Sequence, residues 1–222
     1  MDAEISEFLA HGNVHSKTEW HGFIFYSLTL HGHEIVLVKC GVGKVFAALI
    51  SQHLIDTYHP STLIFTGVAG GLNPQYEIGD VVLSHDCIQH DVDGLGLGFP
   101  RGNLLYTDWT AFSADPNLLE KAKSAPVKGH KIWVGRILTG DQFMTHSEIA
   151  SHSYLHDEFH GDAVEMEGAA LAQVCAVNQI PFIIIRTISD KANGEAMHDF
   201  QKFLPVIAQN SFTVVNHLLS IL

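Results

Sequence analysis

The stretch from Pro181 to Asp190 is Pro-Phe-Ile-Ile-Ile-Arg-Thr-Ile-Ser-Asp, and it decides the fold. From Phe182 to Ile185 it is an unbroken run of strand-forming apolar residues, which is typical of a strand covered on both faces, as in a parallel sheet. Arg186 interrupts this run, and a buried guanidinium is costly unless it is paired. Ligands of open α/β sheets bind at the carboxyl ends of strands, so the strand could deliver Arg186 and Asp190 to a site. A structural ion pair at a strand end is an equally good interpretation.

Strand patterns alternate with helical patterns along the whole chain. The strands are predicted at 62–66, 78–84 and 131–138, with a hairpin at 23–38, and the helices at 45–58, 115–124 and 169–178. This alternation predicts an α/β fold with a mixed, mostly parallel central sheet flanked by helices. No Pro/Ser-rich linker or low-complexity run interrupts the sequence, so we expect one domain over residues 1–222.

The chain is strongly acidic. Its 222 residues carry 12 Lys+Arg against 24 Asp+Glu, which gives a formal net charge of −12. A nucleic-acid backbone or an anionic membrane is not expected as a partner, because few basic groups are available to replace counterions. A neutral nucleoside is compatible with this charge.

The cysteines and the start of the sequence indicate a reducing compartment. Cys40, Cys87 and Cys175 lie in apolar contexts without Cys-x-x-Cys spacing, as buried thiols do. Residues 1–7 are acidic and lack the apolar core of a signal peptide, and no apolar run is long enough to span a bilayer. We expect a cytoplasmic protein.

Several strand ends carry residues that suit a binding site. The turn at 41–44 and the run at 67–72 are rich in glycine, which lets a ligand approach the backbone closely. Phe143 follows another predicted strand and could stack on a flat ring, although a core phenylalanine is the usual alternative. The His-Asp-Val-Asp segment at 90–93 could bind a divalent metal. A glycine-rich loop follows it and nothing completes a coordination set, so we predict no metal there.

Two glutamates flank a methionine just before a predicted helix, in the segment Val-Glu-Met-Glu-Gly at 164–168. The helix dipole could explain one exposed glutamate there. It explains two less well, because Val164 and Met166 favour burial. Glu165 and Glu167 are therefore candidate site residues, whereas Glu4 by itself is better explained as an exposed acid in a first helical turn.

Seven segments in order resemble the bacterial 5'-methylthioadenosine/S-adenosylhomocysteine nucleosidases, which belong to the purine nucleoside phosphorylase superfamily. They are Met-Asp-Ala-Glu at 1–4, Gly-Val-Gly-Lys-Val at 41–45, Thr-Gly-Val-Ala-Gly-Gly-Leu at 66–72, His-Asp-Val-Asp at 90–93, Gly-Asp-Gln-Phe at 140–143, Val-Glu-Met-Glu-Gly at 164–168 and Arg-Thr-Ile-Ser-Asp at 186–190. The resemblance implies a three-layer, nucleoside phosphorylase-like fold. It also implies hydrolysis of an adenosine-type N-glycosidic bond, with adenine and a 5-thio-substituted ribose as products. It implies no metal and no organic cofactor.

The resemblance gives each charged position a role. Asp190, held by Ser189, would be the general acid that protonates N7 of adenine, and partial burial would favour its acidic form. Glu4 would be the base that activates water, with Arg186 helping to orient that water. Glu167 would accept hydrogen bonds from the ribose hydroxyls and stabilise the cationic sugar of the transition state.

The same resemblance implies the binding residues. Glu165 would support the ribose region, and Met166 would pack against the sugar and its sulfur substituent. Phe143 would stack on adenine, while the main chain of Met144 would bind its edge. The remaining residues expected at the pocket are Val42, Val68, Ala69, Gly70 and Phe200.

A neighbouring subunit is implied as well. The loop carrying Leu95, Phe99 and Pro100 resembles the segment that closes the 5'-substituent pocket of the other subunit in this family, so we expect a homodimer. Members of the family have a short apolar strand ahead of the segment that contains Glu4. This sequence begins at Met1, and we expect that strand to be missing from it.

Water is favoured over phosphate as the nucleophile. Val68 stands where many relatives have serine, and phosphorolytic relatives hold phosphate with polar and basic groups near this loop. Only Arg101, Arg136 and Arg186 supply guanidinium groups in the whole chain. A purine nucleoside phosphorylase, a futalosine-type hydrolase and a non-catalytic nucleoside-binding protein are the alternatives.

Overall fold

The structure is a computed structural model that describes residues 2–190 and 196–222, with side chains for 4–145, 147–190 and 205–222. The predicted site residue Phe200 therefore lies outside the described side chains. The helices are α1 Asp2–His11, α2 Lys44–Tyr58, α3 Pro116–Ala122, α4 His146–Ser151, α5 Tyr154–Asp157, α6 Gly168–Asn178 and α7 Ala196–Ile221. The strands are β1 Asn13–Trp20, β2 Phe23–Leu30, β3 His33–Val38, β4 Leu63–Gly71, β5 Val81–Gln89, β6 Ala111–Ser113, β7 Ile132–Thr139, β8 Ala163–Glu165 and β9 Phe182–Asp190.

Strand β9 is the centre of the larger sheet. It is buried at every position from Phe182 to Asp190, as its continuous apolar pattern predicts. Along one edge it pairs in parallel with β4, where Leu63 lies opposite Phe182. Along the other edge it pairs antiparallel with β5, where Val81 lies opposite Thr187.

The pairing of β5 with β9 closes the sheet into a barrel of five strands in the order β5-β7-β8-β4-β9, with β6 attached outside. The register of β5 shifts between Ser84 and Asp86, so its first half pairs with β9 and its second half with β6. The prediction of a three-layer fold with a mostly parallel central sheet is wrong. Within the described residues, three of the six strand pairs of this sheet are parallel and three are antiparallel. Periodicity shows which residues are buried but not which strand edges meet, so the sequence could not reveal the closure.

A separate antiparallel sheet contains β1, β2 and β3. Its second and third strands confirm the hairpin predicted at 23–38. Within the described part of the chain no strand pair joins β3 to β4, and residues of both strands line the main cavity.

Strand β4 continues through the small-residue run to Gly71, beyond the strand predicted at 62–66. One of its glycines makes room for the polar end of β9. A β-carbon on Gly67 would lie 2.6 Å from Nη1 of Arg186, too close for the buried guanidinium to stay in place. At Gly70 a β-carbon would lie 3.4 Å from Oδ1 of Asp190, an ordinary contact distance. The missing side chain of Gly67 thus lets Arg186 reach the space beside β4.

The helices surround the barrel. At the start of α3 the Asp115 side chain accepts the N–H groups of Asn117 and Leu118, which confirms the predicted cap. Helix α6 packs against α2, and α7 against β9. Among the helices that the structure describes, none is both long and apolar enough to cross a membrane.

Candidate active site

One cavity, of about 810 Å³, brings most of the predicted site residues together. It lies where the ends of β3, β4, β8 and β9 meet the first helix. The predicted residues that line it are Glu4, Val42, Val68, Ala69, Gly70, Phe143, Met144, Glu165, Met166, Glu167, Arg186, Ser189 and Asp190. Residues distant in sequence therefore share one site, as expected for strand ends that meet.

Arg186 is the electrostatic centre of this cavity. Its side chain is 2% exposed, and its Nε donates to Glu165 Oε2 at 3.1 Å. Its Nη2 donates to the same oxygen and lies 3.9 Å from Glu167 Oε2. Burial disfavours the charged guanidinium, but the two glutamates outweigh burial and raise the pKa of Arg186 above its usual value. The guanidinium also lies over the ring of Phe65, 4.3 Å from its centroid.

Glu165 is held from several sides. Besides the Arg186 hydrogen bonds, it accepts one from the Thr139 hydroxyl. The N–H of Gly168 is shared between the two Glu165 oxygens, at 2.9 Å from Oε1 and 2.8 Å from Oε2. It also accepts the N–H of Glu167 at 3.0 Å. Both carboxylate oxygens are thus engaged by the protein itself, so Glu165 fixes Arg186 and the start of α6. The resemblance implied that Glu165 supports the ribose region, and these contacts are compatible with a supporting role, which stays a prediction.

Glu167 has a weaker set of partners and faces the cavity. Its Oε1 accepts the N–H of Gly43 at 2.7 Å. Burial, and after it the negative charge of Glu165, raise the pKa of the Glu167 carboxyl, against the opposing effect of Arg186. The side chain is 16% exposed, so a ligand in the cavity can reach it.

Glu4 and Arg186 flank the same point of β4. The Oε1 atom of Glu4 lies 3.4 Å, and Nη1 of Arg186 2.6 Å, from where a β-carbon of Gly67 would stand. The negative charge of Glu4 contributes to the raised pKa values of both Glu167 and Arg186. Helix α1 therefore places a third carboxylate beside the guanidinium.

Asp190 ends β9 on the other side of the cavity. It is 5% exposed, and Ser189 Oγ donates to its Oδ2 at 2.9 Å. Ser189 Oγ also lies 3.3 Å from the carbonyl oxygen of Ala69, which positions the hydroxyl. The resemblance implied that Ser189 holds Asp190, and the geometry is compatible with that arrangement.

Apolar groups form the rest of the wall. Phe143 is 59% and Val42 68% exposed, so both present free surface at the rim, whereas Met144 is buried. The exposed ring of Phe143 favours the stacking interpretation over a core phenylalanine. Leu95, Phe99 and Pro100 do not line this cavity.

Nearly the whole sequence matches one protein family. A family model described as Phosphorylase superfamily matches residues 1–220. The chain belongs to the phosphorylase superfamily. The resemblance inferred from the seven motifs is confirmed by relatives named 5'-methylthioadenosine/S-adenosylhomocysteine nucleosidase. The relative from Psychromonas ingrahamii is 38% identical over 225 residues, covering 99% of this chain and 95% of its own. The one from Marinomonas sp. is 36% identical over 222 residues, with the same coverage.

Solved structures agree with the superfamily assignment. The nucleosidase of the same name from Neisseria meningitidis, in complex with methylthio-immucillin-A, superposes with a TM-score of 0.93 at 35% identity, covering 100% of this chain and 96% of that one. The futalosine hydrolase of Helicobacter pylori superposes with a TM-score of 0.92 at 31% identity, covering 100% of this chain and 95% of that one.

The sequence analysis of this phosphorylase-superfamily protein did not single out several residues that contact the candidate site or line its cavity. Thr139 binds Glu165 and accepts the N–H of Ala169 at 2.8 Å, and Gly43 donates to Glu167. Cys40 lines the cavity, where burial raises its pKa to about 11. A polar residue at the end of a predicted strand was the only available signal for Thr139. Among the described residues, no group of three or more His, Cys, Asp or Glu side chains is arranged to hold a metal.

The raised pKa of Glu167 makes a testable link between pH and stability. Its folded-state pKa lies above the usual 4.5, so the fold favours the protonated carboxyl. The stability that the protonated Glu167 carboxyl contributes is fully present below the pKa that it has in the unfolded chain. This stability is lost as pH rises through the higher pKa that it has in the folded protein. We expect Glu167→Gln, which cannot ionise, to be more stable than the unsubstituted protein at pH 7 and to lose this advantage near pH 4.

Urea unfolding of both proteins at pH 4, 5.5 and 7 measures this difference. A stability difference between Glu167→Gln and the unsubstituted protein that stays constant over this range would contradict the assignment.

Proposed function

We propose that this protein hydrolyses the N-glycosidic bond of 5'-methylthioadenosine and S-adenosylhomocysteine, and releases adenine and a 5-substituted ribose. The relatives carry this activity in their names, and the matching chains are covered almost completely. The cavity supplies groups for each step: carboxylates beside a guanidinium on one side, and a buried Asp-Ser pair on the other.

The proposed roles are those that the family resemblance implies, and the positions of the side chains around the cavity are compatible with them. Asp190, supported by Ser189, donates a proton to N7 so that adenine leaves as a neutral base. Glu167 accepts the ribose hydroxyls and, with the other acids, stabilises the positive charge that develops on the sugar. Glu4 takes a proton from the attacking water, which Arg186 helps to orient. Phe143 stacks on the purine, and the Met144 main chain binds its edge.

Water is the nucleophile because the charges that line the cavity disfavour binding of a phosphate anion. This is the observation that carries the proposal. Arg186 is already bound by Glu165 through both Nε and Nη2, and Glu4, Glu167 and Asp190 line the same space. A phosphate dianion beside Arg186 would meet the carboxylates of Glu4, Glu165 and Glu167, and close like charges repel strongly where water is excluded. Val68, on the adjacent wall, offers no side-chain donor.

The decisive experiment is an assay of adenine release from 5'-methylthioadenosine in phosphate-free buffer. We expect turnover without phosphate, and no ribose 1-phosphate product when phosphate is added. A strict requirement for phosphate would establish a phosphorylase instead. Absence of turnover with tight binding of the nucleoside would establish a binding protein.

The same assay separates related substrates. S-adenosylhomocysteine, 5'-deoxyadenosine and futalosine are tested at equal concentrations, because one similar structure is a futalosine hydrolase. We expect the two thio-substituted adenosines to give the highest kcat/KM. A preference for futalosine would move the protein to that hydrolase class.

The active unit is proposed to be a cytoplasmic homodimer. Leu95 and Leu97, in a short 3-10 turn, are 52% and 64% exposed, and the ring of Phe99 packs on that of Tyr106 at 5.3 Å. These apolar groups lie outside the cavity of their own subunit. A partner's cavity would cover them and would gain an apolar wall for the 5'-substituent.

A further inference from the structure

Three charged residues outside the cavity join three of its loops. Lys44 Nζ donates to Asp91 Oδ1 at 2.7 Å and lies 3.8 Å from Asp141 Oδ2. The N–H of Lys44 donates to Asp141 Oδ1 at 2.8 Å, and the N–H of Asp141 donates to Asp91 Oδ2 at 2.9 Å. We call Lys44, Asp91 and Asp141 the loop triad. It connects the segments that follow β3, β5 and β7.

The loop triad adjoins the site without entering it. None of its three residues lines the cavity. Gly43, which precedes Lys44, donates its N–H to Glu167 at 2.7 Å. Phe143 follows Asp141 by two residues and stands at the cavity rim. The loop triad therefore holds the ribose side and the purine side of the cavity to each other.

The backbone of the turn needs such support. Gly41 and Gly43 have φ angles of +84° and +95°, which glycine adopts freely. Because glycine adopts other angles just as readily, contacts from outside the turn must hold these two. Oδ1 of Asp141 lies 3.2 Å from the place of a β-carbon on Gly43. Asp141 thus packs directly on the glycine whose N–H contacts Glu167, and fixes the direction of that N–H.

We propose that Lys44, Asp91 and Asp141 are positioning residues for the hydrolysis, which fix the Gly43 N–H against Glu167 and the segment bearing Phe143. This inference rests on the proposed function. Loss of the Lys44 charge would leave Asp91 and Asp141 facing each other as like charges, so the loops would separate. The two parts of the nucleoside site would then lose their fixed distance.

The charge state of the loop triad supports this arrangement. Burial alone would raise the pKa of Asp91, but the hydrogen bonds from Lys44 and the Asp141 N–H, with His90 nearby, outweigh burial and lower the pKa. Asp91 is therefore ionised, and paired with Lys44, throughout the neutral pH range.

The test compares kcat, KM and the pH profile of kcat/KM for methylthioadenosine in Lys44→Met and Asp91→Asn. We expect kcat/KM to fall about 10- to 100-fold, because small displacements of catalytic groups cost that much. The acid limb should also move to higher pH, because the Gly43 N–H lowers the pKa of Glu167. The other charged groups that face Glu167 are Glu165, Arg186 and Glu4, and these variants leave them in place.

Asp86→Asn is the matched control. Asp86 accepts hydrogen bonds from Arg136, at 2.8 Å from Nε and 2.7 Å from Nη2, and so joins β5 to β7. Asp91 joins the loops that follow these two strands. Asp86 does not line the cavity. It should lose stability but keep kcat/KM within about twofold and the acid limb unchanged. Lys44→Arg retains the charge and should restore most of the activity that Lys44→Met loses.

The outcomes distinguish this inference from the proposed function. If the unsubstituted protein releases adenine while Lys44→Met and Asp91→Asn behave like Asp86→Asn, the loop triad is merely structural and the inference fails alone. If Lys44→Met does not fold, Asp91→Asn against Asp86→Asn decides the question in the same way. Absence of adenine release by the unsubstituted protein would instead remove the proposed function.

Discussion

Replacing Asp190 with asparagine should lower kcat for adenine release from methylthioadenosine by about 10²- to 10⁴-fold, the usual contribution of a general acid. Asparagine has the same shape and can still accept the Ser189 hydroxyl, which lies 2.9 Å from Oδ2. It cannot transfer a proton to the purine. We therefore expect the dissociation constant for the nucleoside to change little while turnover is lost, and calorimetry with steady-state assays measures both.

A change of leaving group identifies the missing step. A nitrophenyl 5-methylthioriboside loses nitrophenolate, a stable anion that leaves without protonation, so its hydrolysis by Asp190→Asn should fall far less than that of methylthioadenosine. Asp115→Asn is the matched control, because asparagine caps α3 as well as aspartate and Asp115 is outside the cavity. Equal losses with both substrates would show that Asp190 is not the acid.

The second large effect is on stability. Replacing Arg186 with methionine should lower the free energy of unfolding by about 3–5 kcal/mol, because it leaves a buried acid without its cation. Glu165 is 2% exposed and is bound to Arg186 through two guanidinium nitrogens, with Glu167 3.9 Å away. Methionine fills similar volume, so the loss reports the uncompensated charge more than a cavity. Urea unfolding at pH 7 measures it.

Arg136→Met tests whether burial of the ion pair determines how much unfolding free energy is lost. Arg136 also pairs with an acid, Asp86, but its side chain is 27% exposed, against 2% for Arg186. Solvent screens such a pair, so we expect a clearly smaller loss of unfolding free energy. Equal losses in the two variants would mean that the Arg186 pair contributes no more than an ordinary partly exposed one.

The sequence predicted many elements because local chemistry decides them. The apolar run of β9, the proline-led start of α3 and the alternating strands of the hairpin depend on residues close together in the chain. The family resemblance was also present in the sequence, since seven short segments carry it in order. Most residues expected at the site do line one cavity, but their roles are proposals that the variants above test.

What the sequence could not show depends on partners far along the chain. Closure of the barrel is decided by an edge contact in which Val81 meets Thr187, and periodicity does not record edge contacts. The residue pattern by itself gave Glu165 and Glu167, which are separated by one residue, no different environments. The tertiary structure distinguishes them, because Glu165 is surrounded by donors and Arg186, whereas Glu167 faces the cavity.

The sequence by itself thus determined which residues are buried, where strands end in polar groups, and the superfamily to which the chain belongs. Only the tertiary structure decided how the strands close, which acid neutralises Arg186 and how Lys44 joins three loops. The physical reason is that burial and local conformation follow from neighbouring residues, whereas electrostatic pairing depends on distances that exist only after folding.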